Sequence, residues 1–161
     1  PSNGSLQTDS TTLSPLWAMG YGSGGGSGKA LLNYTRYKQT GDDRFLQAAV
    51  EIADRYIAEG FPKDPGDLWP KSAGQVISLL VSLAREKDIA AGKQKIYFAF
   101  AQEAADKSIA VFAKNNLFRA DGLADHYEAI TGSDDLLWAL LQLYCEQARP
   151  DHRLSHNDVN W

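Results

Sequence analysis

Two amphipathic stretches joined by Thr40-Gly41-Asp42-Asp43 constrain this chain more than any other feature. Apolar residues Phe45, Leu46, Ala49, Ile52, Ala53, Tyr56 and Ile57 recur at helical spacing, with Glu51, Asp54 and Arg55 between them. Gly41 suits the left-handed position that ends a helix, and Asp42 and Asp43 suit the positive end of the next one. The preceding stretch, about Lys29 to Gln39, is apolar at Ala30, Leu31, Leu32, Tyr34 and Tyr37. The connection is too short for anything but two antiparallel helices, a helical hairpin.

The rest of the chain repeats that plan. A helix is expected from a Ser72/Gln75 capping box to about Lys87, apolar on nearly all sides through Val76, Ile77, Leu79, Leu80, Val81 and Leu83. Such a helix must be buried on nearly all sides. An amphipathic helix is expected over about Gln94 to Lys114, with Phe98, Ala101, Ala105, Ile109 and Phe112 on one face. A last apolar helix, Leu136 to Gln147, again hydrophobic nearly all round and so expected to be buried, follows Gly132-Ser133-Asp134-Asp135 and stops before Pro150. Residues 60–70 hold three prolines and cannot be helical throughout, and Asn115 to Thr131 reads as irregular with one short turn inside Leu123 to Ile130. The expected fold is all-α: antiparallel hairpins in two layers, with 1–15 a loose arm, 16–150 the domain and 151–161 a polar tail.

Each loop before an apolar helix is long and rich in aromatics and charges. If apolar helices form the inner layer, those loops share one end. Trp17, Tyr21, Asp67, Trp69, Lys71 and the run from Arg119 to Glu128 then meet on one rim.

Several function classes are weakly supported from the start. With 16 basic and 20 acidic residues in 161 and a net charge of −4, the chain offers no basic footprint for nucleic acid. Its apolar runs are too short and too charged to span a bilayer. The single cysteine, Cys145, lies in an apolar run and reads as a buried, inert thiol. The glycine-rich stretch Gly22 to Gly28 departs from a phosphate loop: Ser23 stands where its first glycine belongs, and Ala30 where its magnesium-binding hydroxyl belongs. His152, His156 and Asp158 have metal-like spacing but no helical pattern to hold it, so no metal and no cofactor is expected.

The hairpin from Tyr37 to Leu46, continued by Ala53-Asp54-Arg55-Tyr56, resembles the hairpins of the alpha/alpha toroid enzymes. These include six-hairpin glycosidases, unsaturated glucuronyl hydrolases, sugar 2-epimerases and toroid polysaccharide lyases. Tyr127 to Asp135 is similar to the same hairpin vocabulary. The resemblance spans about Leu16 to Pro150 through generic structural motifs, and the chain holds fewer hairpins than a closed ring. It implies a partial toroid: a portion of a larger enzyme, a homo-oligomer completing the ring, or a helical-repeat binding module. Under this resemblance a periplasmic or extracellular setting is slightly favoured. The chain opens on Pro1 rather than Met, which leaves room for a leader or a larger N-terminal portion.

The implied activity is carbohydrate chemistry, by hydrolysis or elimination, on an oligosaccharide or polysaccharide. Hydrolysis wants two carboxyl groups, one held protonated; elimination wants a Tyr or His base beside a cation that neutralises a uronate. Asp121, Asp125, His126, Tyr127 and Glu128 are the expected catalytic groups. Trp17, Tyr21, Asp67, Trp69, Lys71 and Arg119 are the expected substrate contacts. Asp134 and Asp135 read as simple complements of a helix dipole.

Overall fold

The computed structural model describes residues 16–17, 26–64, 66, 68–149, 151 and 154. Five helices are placed among them: α1 (Gly26–Thr40), α2 (Asp43–Glu59), α3 (Pro70–Ala84), α4 (Ala91–Phe112) and α5 (Ser133–Ala148). A two-stranded ribbon, β1 (Ala113–Lys114) and β2 (Leu117–Phe118), and a 3-10 turn at Ala129–Thr131 lie between α4 and α5. The all-α fold and its hairpin packing stand as the sequence indicates.

Local chemistry sets the boundaries. Gly41 takes φ 68°, where a side chain would be strained, and lets its N–H reach Tyr37 O at 2.7 Å. One residue on, the Asp42 carboxylate accepts the Arg44 N–H at 3.0 Å and caps α2. The start of α3 differs from expectation. Pro70 opens it as the first helical residue, where its missing N–H costs nothing, so Ser72 lies inside the first turn, fully buried, and forms no capping box. Gln75 instead accepts a hydrogen bond from the Ser27 hydroxyl at 3.1 Å. α1 begins at Gly26, earlier than Lys29, with the Ser27 N–H donating to the Tyr56 hydroxyl at 3.0 Å. Between β1 and β2, Asn115 and Asn116 both adopt positive φ, 51° and 65°, the backbone a tight hairpin requires.

Side-chain ties fix the register of the helices. The first turns of α1 and α3 meet at Ser27 and Gln75, and their far ends meet where Tyr34 and Lys38 reach Glu86, at 3.1 and 3.0 Å. α1 and α3 therefore run parallel. α3 and α5 also run parallel: Gly74 lies against Asp135 near their starts, and Arg85 pairs with Glu146 at 2.5 Å near their ends. α2 and α4 form the second layer. Asp54 accepts from Lys93 and Tyr97 at 2.7 and 2.8 Å, while Lys107 lies over the Phe61 ring. An inner row α1–α3–α5 is thus backed by α2 and α4, and the starts of the three inner helices lie at one end.

α3 is the axis. From Val76 to Leu83 every residue is buried. α5 departs from the expectation of burial all round: on its flank away from α3, Leu137, Leu141 and Tyr144 are 61, 43 and 57% exposed.

A Cβ added at Gly74 would stand 2.6 Å from the backbone of Asp135 and Leu136. Alanine favours a helix over glycine by about 1 kcal/mol, but backbone cannot rotate aside, so α3 and α5 would have to separate. Gly74→Ala is expected to destabilise the fold by about 1–3 kcal/mol in urea unfolding. A gain near 1 kcal/mol would contradict this close approach.

Candidate functional site

Of the residues that the sequence places on the rim, the described ones are used unequally. Trp17 is 4% exposed, with its ring against Tyr56 (centroids 4.9 Å, edge-on) and Phe61 (5.3 Å). The Tyr56 hydroxyl donates to Leu16 O at 2.7 Å. These contacts plug the end of the core, so Trp17 presents no open face for a sugar. Tyr21 and Asp67 lie outside the described residues, as do His152, His156 and Asp158. Trp69 is half-buried, and its carbonyl accepts the Ser72 and Ala73 N–H groups at the start of α3.

The run from Arg119 to Glu128 is largely occupied with folding itself. Arg119 donates through its guanidinium to Val111 O, 3.0 Å from Nε, tying the ribbon back to the end of α4. Asp121 accepts the N–H groups of Leu123 and Ala124 at 2.7 and 2.6 Å, shaping its own turn. Asp125 pairs with Lys114, which holds its carboxyl below the usual range; Arg119 adds to this from 4.0 Å. A group so favoured in its charged form is a poor proton donor. His126 Nε2 lies 2.8 Å from Glu128 Oε1, on the surface, and the Tyr127 ring is 51% exposed. Of the expected catalytic residues, His126 and Glu128 are therefore brought together, while Asp121 and Asp125 are turned to separate local tasks.

A cleft of about 490 Å³ opens beside this run, lined by Lys71 and Gln75 of α3, Ala129, Ile130 and Gly132, and Asp134 and Asp135 of α5. Gly132 makes the approach possible: it sits at φ 74°, and a Cβ there would stand 2.5 Å from Lys71 Cβ. Asp135 is half-buried in this corner. Burial pushes its carboxyl up to about 6, with Lys71 opposing and Asp134 adding to the rise. Gln75 also accepts from the buried Ser27 hydroxyl, which ties the start of α1 to this corner. A second, more apolar hollow of about 420 Å³ lies on the other side of Asp134, lined among others by Leu117, Phe118, Tyr127 and Leu137.

Sequence reasoning gave Asp135 only a dipole role and gave Gln75 a capping role. Its one available signal was Gly74, a glycine inside an otherwise bulky apolar helix, which marks a neighbour's backbone close by. That neighbour is what buries Asp135. Among the described residues no group of three His, Cys, Asp or Glu side chains could hold a metal ion, and no helix is long and apolar enough to cross a membrane. Cys145 is buried in α5. Compared with protein-family models, curated proteins and solved structures, the chain finds no match.

The raised carboxyl has a consequence for stability. An unfolded Asp titrates near the model value of 3.8, while folded Asp135 titrates near 6. Between those values the folded state holds the extra proton, so this group's contribution falls as pH rises through that window. Asp135→Asn removes the titration. Its stability relative to the parent is expected to rise from pH 4 to pH 7 in denaturant melts, and parallel pH profiles would refute the assignment.

Proposed function

We propose that this chain is a carbohydrate-active protein, or a portion of one, that binds an oligosaccharide or polysaccharide in the rim cleft between the first turns of α3 and α5. One observation carries the reading: a cleft at the common end of the inner helices holds a cation (Lys71), an amide (Gln75) and a carboxyl pushed up to about 6 (Asp135). A carboxylic acid whose pKa is raised toward neutrality is what glycosidic bond cleavage asks of its proton donor. Asp134 brings a second carboxyl group to the same cleft. Lys71 suits a sugar hydroxyl or a uronate carboxylate. Trp69 and Tyr127 are the aromatic surfaces for sugar rings, and the His126–Glu128 pair stands at the edge as the base.

The reading also rests on the hairpin resemblance. Assignment of roles shifts within the rim. Asp135 takes the acid role in place of Asp121 and Asp125, since its surroundings push its carboxyl up to about 6. Arg119, committed to Val111 O, serves the loop's shape.

A non-catalytic glycan-binding module is the second reading, favoured by the local engagement of Asp121 and Asp125.

The test is an assay against a panel of neutral and uronate-containing polysaccharides, recording reducing ends and the absorbance of unsaturated uronates. Turnover is expected, falling about 10²–10⁴-fold in Asp135→Asn while glycan binding persists, the loss typical of removing a general acid. Reducing ends alone identify a hydrolase; both signals identify a lyase. Binding without turnover selects the module. Neither binding nor turnover overturns the carbohydrate reading.

A further inference from the structure

The apolar hollow across Asp134 from the rim cleft has no task in the reading above. Two short elements build it. Asn115 and Asn116 turn the chain back through positive φ, and the pairing of β1 with β2 sets Ala113 opposite Phe118 and Lys114 opposite Leu117. The small Ala113 side chain leaves space beside the Phe118 ring. The first turn of α5 supplies the facing wall through Ser133, Asp134 and Leu137. The cavity between them measures about 420 Å³, within the roughly 300–1,000 Å³ of small-molecule sites. Its apolar side chains stand in water: Leu117, Tyr127 and Leu137 are 61, 51 and 61% exposed.

The hollow and the cleft share a wall, because Asp134 lines both. On one side lie Lys71, Gln75 and Asp135, which suit the hydroxyl groups of a sugar. On the other, Asp134 is the one charged side chain among the described lining residues. A ligand that fills both spaces is polar at one end and apolar at the other.

We infer that the hollow is the aglycone subsite of the rim cleft: the ligand is a sugar joined to a neutral apolar group, aryl or alkyl, that sits against Leu117, Phe118 and Leu137. The inference rests on the carbohydrate reading and names a substrate class for it. A sugar alone leaves the hollow to water, whereas an apolar aglycone displaces that water from apolar walls. A carboxylate in the same place would face Asp134 without a nearby cation to answer it, since Lys114 is paired with Asp125 and Lys71 lies on the cleft side. A cavity of similar size between the starts of α2 and α4, about 430 Å³, offers no such continuity. It lies at the end remote from the cleft, and its Asp88 and Lys93 are held by Tyr37 and Asp54.

Calorimetric titration with matched glycosides is the test. The probes are the methyl, phenyl, carboxyphenyl and octyl glycosides of glucose, galactose, mannose, xylose and glucuronic acid. For a sugar that binds, the phenyl or octyl glycoside is expected to bind about 10- to 100-fold tighter than the methyl glycoside, the gain from burying an apolar group of side-chain size. A larger gain for octyl identifies a lipid-linked sugar, and a larger gain for phenyl an aryl glycoside. The carboxyphenyl glycoside should gain less than the phenyl one. Leu137→Asn, with its helices checked by circular dichroism, should bring the phenyl and methyl affinities toward equality. Equal binding of methyl, phenyl and octyl glycosides by the parent chain overturns the subsite and leaves the carbohydrate reading in place. So does a gain that survives Leu117→Asn and Leu137→Asn together, or an equal gain from the carboxyphenyl glycoside. No binding by any glycoside also overturns the subsite; the carbohydrate reading is then decided by the polysaccharide panel, so the two claims fail separately.

Discussion

The approach of α3 to α5 at Gly74 sets the geometry of both the core and the rim, because it brings two helix backbones closer than any side chain would allow. With α5 drawn in at its first turn, Leu136, Ala139 and Leu143 reach the flank of α3 and complete the inner row. The same approach carries Asp135 out of water beside Lys71, and Gly132 closes the corner through its left-handed backbone. A carboxyl that solvent would leave ionised is thereby held partly protonated. Packing and electrostatics at the rim share one cause.

The opposite end of the row is organised by polar contacts instead. Glu86 is buried to 4% exposure, yet it stands just beyond α3 where Tyr34 and Lys38 of α1 can both donate to it. Tyr37 donates to Asp88 at 2.6 Å, and Gln94 donates to the Glu86 carbonyl at 2.8 Å. A buried carboxylate is costly unless its lone pairs are filled. Filling them fixes α1 against the α3–α4 turn, which holds the inner helices parallel and in register. Directional bonds at this end thus leave the other end to be shaped by close packing.

Much of this architecture was legible in the residues. Gly41 with Asp42 forces a hairpin, the unbroken apolar run Val76 to Leu83 forces a buried helix, and alternation of such helices with amphipathic ones forces two layers. The shared rim follows from the alternation. What pattern reading missed depends on distance between segments remote in sequence. Ser72 looked like a cap because a serine three residues before a glutamine does so locally, whereas Pro70 had already started the helix. Trp17 looked like a platform because loop aromatics are often exposed, whereas Tyr56 and Phe61 enclose it. Asn115 and Asn116 were read as irregular because their paired left-handed conformation needs the strands that they join. α5 looked buried on all sides because apolar content does not reveal which flank a neighbour covers.

The account turns on one carboxyl group whose surroundings differ from those of the other described acids on the rim. Carbon-detected NMR titration of the Asp135 side chain in the folded chain measures it directly. An inflection near pH 6, moving lower when Lys71 is retained and Asp134 is replaced by Asn, is the result this structure requires. An inflection near 3.8, the ordinary value for an aspartate, would mean that the corner between α3 and α5 is open to water, and the rim would lose its proton donor.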